Sequence, residues 1–172
     1  MAHLTDLLEL QKGIYGTTRD VDPATLSPIV VVHPFCVHYR GFNERFGALV
    51  HGYPAPIISF EQEDKWESTI DFVLSRREMA LCEDRVQRPL AGERFFVKMK
   101  PQSPEPLETD WAGIVGFLQG FEFSHLGLVG GYTPTVDSIG CLGAIKNTLE
   151  MHDFTCRYLP WLTFNSLAGF GR

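Results

Sequence analysis

Three clusters in this chain have residue types and spacings suited to chemistry. The first is His33-Pro-Phe-Cys36-Val-His38. An imidazole exchanges protons near neutral pH, and it activates a nearby thiol by favouring the thiolate, so His33 and Cys36 are a candidate base and nucleophile. The plainer reading of Cys36 is a structural cysteine. One Cys and two His on a single short loop lack the second pair of ligands that structural zinc takes, so no metal is expected. The second cluster is Lys98, a cation that closes the apolar run Arg94-Phe-Phe-Val. The third is Gly130-Gly131-Tyr132-Thr133, a turn ahead of a helical stretch. Backbone N–H groups at such a turn and helix start can hold an anion or a developing oxyanion. The plainer alternative is a sharp turn that needs positive φ.

Other candidates have plainer readings. Glu61, Glu63 and Asp64 fit a set of paired acids, or carboxylates favoured in a helix's first turn by its dipole. Cys141, among Gly140, Gly143 and Ala144, reads as a small filler inside a helix. Neither G-x-G-x-x-G nor G-x-x-x-x-G-K-[ST] occurs, so no dinucleotide, nucleoside triphosphate or other cofactor is expected.

The elements that must position these residues are legible as an alternation. Pro28-Ile-Val-Val-Val-His33 is a β-branched run without polar interruption, which marks a strand covered on both faces, as in a parallel sheet. Pro56-Ile-Ile-Ser-Phe60, Arg94 to Lys98, His125 to Val129 and Thr155 to Leu159 read as further strands. Between them, apolar residues recur at helical spacing. Trp66, Ile70, Val73 and Leu74 make one stripe, and Trp111, Ile114, Val115 and Leu118, behind an Asp110 cap, make another. A last helix is predicted from a Thr133 or Thr135 cap, with Pro134 in its first turn, through about His152. A short amphipathic helix is predicted over 4–14. Strands alternating with helices imply right-handed crossovers and an α/β class. The expected fold is a three-layer α/β/α sandwich around a mostly parallel five- or six-stranded sheet, Rossmann-like. In such a sheet ligands bind beyond the carboxyl ends of the strands, where His33, Lys98 and the Gly130 turn all fall.

Composition limits what those sites serve. The 172 residues fit one domain, spanning 1–172 with an aromatic segment over about 160–172. A net charge of −6, with Lys and Arg only in isolated pairs, speaks against nucleic acid, whose binding needs clustered cations. Asp6 and Glu9 interrupt the N-terminal apolar run, and no apolar stretch is long enough to cross a bilayer. Four cysteines without a C-x-x-C pair suggest a reducing compartment, so the expected location is cytoplasmic, with no membrane partner.

Phe96-Val97-Lys98, the capped helix from Asp110, Leu126-Gly-Leu-Val-Gly-Gly-Tyr-Thr133, and the long Ala/Gly-bearing helix ending in a strand together resemble the isochorismatase-like cysteine hydrolases. The order of elements from Pro28 to Leu159 matches that family as well. The resemblance implies that Lys98 is the lysine that stabilises the thiolate and transition state. It places His33 at the family's general-base aspartate, and Val136 at its nucleophilic cysteine within Gly-x-x-Thr-x-x-Cys-Val. It further implies a cis peptide at Gly131–Tyr132, and a substrate cradle made by Gly131, Tyr132, Thr133 and Val136.

Three functions follow as expectations. The first is a degenerate hydrolase homologue that keeps a pocket for a small-molecule ligand, since valine cannot act as a nucleophile. The second is an active hydrolase of an amide, ester or imine, with His33 as base, Lys98 as stabiliser, and water or Cys36 as nucleophile. The third is a structural protein assembling through the aromatic segment from Trp161. Members of the family commonly form dimers and tetramers, so the resemblance implies a homo-oligomer.

Overall fold

The computed structural model describes residues 12–16, 26–34, 40–50, 53, 55–65, 69, 73, 94–99, 111–120 and 123–165, the side chains of Arg40, Glu63 and Lys98 excepted. The elements in chain order are β1 (Ile29–Val32), α1 (Arg40–Val50), β2 (Ile57–Gln62), a 3-10 turn (Glu63–Lys65), β3 (Arg94–Met99), α2 (Trp111–Gly120), β4 (His125–Gly130), α3 (Gly140–Glu150) and β5 (Thr155–Thr163). The five strands form one sheet in the order β3-β2-β1-β4-β5, and every neighbouring pair is parallel. The chain is therefore an α/β protein with a Rossmann-like parallel sheet. The amphipathic helix predicted over 4–14 falls mostly outside the described residues, as do most of the helix around Trp66 and the segment 166–172.

The unalternating strands behave as their composition requires. Ile29 and Val31 belong to one buried apolar cluster, with Ile57, Phe96, Val129 and the α1 residues Phe42, Phe46 and Leu49. Val30 and Val32 belong to a second, with Ile58, Phe60, Leu128, the α2 residues Ile114 and Leu118, and the α3 residues Leu142 and Ile145. Because successive strand residues point to opposite faces, β1 carries a core on each side and has no use for polar positions. Its burial stabilises by roughly 2 kcal/mol per large aliphatic side chain.

One predicted element moves. The helix expected from Thr133 or Thr135 starts only at Gly140. Pro134 to Ile139 form a loop instead, because Thr135 Oγ1 accepts the N–H groups of Asp137 (3.3 Å) and Ser138 (3.1 Å) in a closed turn of its own. At the other end of the chain, Trp161 is 41% exposed. Its ring lies so close to Gly13 that a Cβ there would approach it to 2.7 Å.

Among the described residues, no helix is long and apolar enough to cross a membrane.

Candidate active site

The strand order reverses at β1, with β2 and β3 on one side and β4 and β5 on the other. In open parallel sheets the space beyond the carboxyl ends at such a reversal is where ligands bind. The residues there are His33 after β1, Glu61 near the end of β2, and the Gly130-Gly131 turn after β4. The register fixes them side by side, since Val32 pairs with both Phe60 and Gly130.

His33 leaves the strand in an unusual backbone conformation. Its φ is +54°, a left-handed geometry that costs a residue with a Cβ roughly 1 kcal/mol or more. Its N–H is tied to the Phe60 carbonyl at 2.9 Å. Non-glycine residues held in this region cluster at functional sites, where the surrounding structure imposes them.

The side chain is 5% exposed and is held by a carboxylate. Nδ1 of His33 lies 2.8 Å from Oε1 of Glu61, which is itself fully buried. Oε1 also accepts the Gln62 N–H at 2.8 Å, and Oε2 accepts the Thr69 hydroxyl at 3.0 Å. A buried carboxylate is tolerable only when its lone pairs are met, and here three donors converge on one group. The other ring nitrogen, Nε2, is buried without a hydrogen bond among the described residues.

The group beside that ring is Cys141. Burial by itself lowers the proton affinity of His33, but hydrogen bonding and charge from Cys141 and Glu61 outweigh it and raise the pKa to about 9. With Nδ1 committed to Glu61, Nε2 is the atom left to face the thiol. The thiol is near enough to bias the ring's proton, yet the two make no hydrogen bond of normal geometry. At neutral pH the histidine is therefore an imidazolium between a carboxylate and a thiol.

The Gly130 turn explains how Cys141 arrives there. Gly130 has φ +89°, and a Cβ on it would lie 1.9 Å from the Val32 carbonyl oxygen, so only glycine fits. The Gly131–Tyr132 peptide is cis, at the position the resemblance implies. The Tyr132 ring then rests against His33, with centroids 5.3 Å apart. From Thr133 the chain makes a compact excursion and returns. Leu142 N–H donates to the Tyr132 carbonyl at 3.1 Å, and a Cβ on Gly140 would lie 2.3 Å from that same oxygen. Cys141 sits between these two anchored residues in the first turn of α3, half-buried. It is thus pinned to the tyrosine that touches His33.

The sequence-predicted residues separate accordingly. His33 and Tyr132 come together. Gly131 and Thr133 line the turn, but their N–H groups are bound to the carbonyls of Val32 (2.9 Å) and Phe164 (3.1 Å), so neither amide is spare for a ligand. Val136 is fully exposed on the excursion. Lys98 stands in register with Glu61, while its side chain, together with Cys36 and His38, lies outside what the structure describes. Two residues that the sequence offers only with plainer readings take other places. Glu61 is not a helix carboxylate but the partner of His33, and its signal was period two: Ile57, Ser59 and Glu61 share one side of β2. Cys141 is not a helix-interior filler but opens α3, and no local signal marked it.

No protein-family model matches the chain, and neither does any curated protein or solved structure.

Proposed function

We propose that this chain is a thiol-dependent hydrolase of a small amide, ester or imine, with Cys141 as nucleophile and His33 as its proton-transfer partner. One juxtaposition carries the proposal: a buried imidazole, held by a carboxylate at Nδ1 and without a hydrogen bond at Nε2, lies close enough to a half-buried thiol for that thiol to raise its pKa. A nucleophile, a base within reach, and a third group that orients the base make up the general arrangement for covalent catalysis. The parallel sheet and the glycine turn after β4 support the resemblance to isochorismatase-like cysteine hydrolases. The thiol that the family's spacing assigns to position 136 is supplied here from position 141.

For an acyl substrate the chemistry balances without a further reagent. The Cys141 thiol passes its proton to the neutral form of the His33 imidazole as the sulfur attacks the carbonyl carbon, forming a C–S bond and moving an electron pair onto oxygen. Collapse expels the leaving group, which takes the proton of the His33 imidazolium. Water then adds to the thioester and gives a proton to the neutral imidazole. The C–S bond breaks with that proton returning to sulfur, and acid, thiol and neutral imidazole result. Throughout, the sulfur lies at a helix N-terminus, where negative charge is favoured.

Alkylation tests the assignment. Iodoacetamide at pH 7 with mass mapping of the four cysteines is expected to label Cys141 at least about tenfold faster than Cys156. Cys156 is buried, and its thiol is pushed up to about 12. p-Nitrophenyl acetate is expected to leave an acetyl group on Cys141. Labelling first at Cys36, or equally slow labelling at every thiol, would overturn the role of Cys141.

A further inference from the structure

We infer that Glu61, braced by Thr69, is a positioning residue that fixes the proton of His33 on Nδ1 and turns Nε2 to the thiol. This rests on the thiol reading above and adds to it a part that the sequence resemblance does not supply. An ionised carboxylate only accepts hydrogen bonds. Its donors here are the Gln62 N–H, the Thr69 hydroxyl and, by exclusion, the hydrogen on Nδ1. That bond selects one tautomer for the neutral ring, the one whose Nε2 carries a lone pair. It also holds the ring against rotation, in a residue whose backbone is already in the left-handed region.

Thr69 has a definite share in this. It lies eight positions beyond Glu61 in the chain, is fully buried, and donates to the oxygen farther from the histidine, Oε2. Without that hydroxyl, Oε2 loses its donor among the described residues, and the carboxylate is held through Oε1 alone. The described titratable groups facing the ring are Glu61 and Cys141, and Tyr132 packs on it through its ring. Of these Glu61 makes the hydrogen bond of normal geometry, at 2.8 Å.

The test combines a histidine titration with thiol reactivity on the full chain. Glu61→Gln keeps the volume, can still accept from Gln62 N–H and His33, and can donate to the Thr69 oxygen, so it removes charge while leaving partners. NMR of the His33 ring is expected to show its midpoint fall by about one pH unit or more in this variant. Iodoacetamide labelling of Cys141 at pH 7 is expected to slow about tenfold. Thr69→Val is expected to shift both in the same direction by less, and Thr69→Ser to restore them, which a purely structural role would not require. If Glu61→Gln fails to fold, the Val and Ser pair at Thr69 carries the test alone. A His33 midpoint and a Cys141 rate unchanged in the variants would overturn the inference. Labelling of Cys141 that ignores His33→Asn, with the midpoint still sensitive to Glu61, would instead remove the thiol reading and leave Glu61 positioning a histidine with another task.

Discussion

The two ends of the same sheet both bury a charged side chain, and they do so in opposite ways. At the amino end Arg94 opens β3 and is only 9% exposed. Its guanidinium donates to the carbonyls of Val50 (2.6 Å), Tyr53 (2.8 Å) and Ala55 (3.2 Å). These are the end of α1 and the connection into β2, where a cation also meets the negative end of the helix dipole. Arginine stays charged at any accessible pH, and its acceptors are backbone groups that cannot shift without unravelling the connection. At the carboxyl end the buried ion is His33, whose charge is conditional, whose partners are side chains, and whose Nε2 lacks a hydrogen bond. The clamp sets a fixed charge on backbone oxygens; the carboxyl end holds a removable proton on a ring fixed by a side chain. Buried polar atoms without partners are rare enough that each asks for an explanation, and for Nε2 the nearby thiol supplies one.

Substitutions that separate the two ends sharpen this contrast. The largest effect is expected for Cys141→Ser, which should lower thiol-dependent ester hydrolysis by about a thousandfold, or about 4 kcal/mol in the barrier. Its urea midpoint should stay near that of the parent. Retained hydrolysis would remove the Cys141 thiol from the chemistry and leave the carboxyl end without its nucleophile. Arg94→Met should do the reverse, costing about 3 kcal/mol of stability by stripping the carbonyls of three donors. The alkylation rate of Cys141 in the folded fraction should not change. A loss of reactivity without a loss of stability would put Arg94 in the wrong class.

Next in size is the pH dependence. The folded chain binds the His33 proton more tightly than the unfolded chain, since the pKa rises from 6.5 to about 9. Proton uptake therefore stabilises the fold. The contribution is complete below about pH 6.5 and disappears as pH rises through 9, and it amounts to about 3 kcal/mol at most. Urea unfolding measured across that window should show stability falling, and His33→Asn, whose side chain tolerates the left-handed backbone, should flatten the slope. An unchanged slope would assign the titration elsewhere. Smallest of all, Val136→Ser should change stability by under about 0.5 kcal/mol and leave Cys141 labelling intact, because Val136 is fully exposed. A large loss of labelling would restore position 136 to the site.

Much of the scaffold was legible from the residues. The run Ile29 to Val32 reads as a strand buried on both faces because it offers no polar alternation, and the structure fills both of its sides. The stripe Trp111, Ile114, Val115 and Leu118 reads as a helix, and all but Trp111 are buried in α2. The start of α3 was misread for a local reason. A threonine hydroxyl accepting amides two and three residues ahead describes both a helix cap and the closed turn at Thr135, so the motif alone does not separate them.

By itself, then, the amino-acid sequence determined the α/β class, the strands and the histidine at the end of the first one. These follow from hydrophobic pattern and chain order, which are local properties. Only the tertiary structure decided which thiol and which acid meet that histidine. Distance along the chain counts residues, whereas reaction depends on distance in space. An excursion whose ends meet at the Tyr132 carbonyl brings Cys141 back to the turn, and a parallel register places Glu61 beside His33 across 28 residues of sequence.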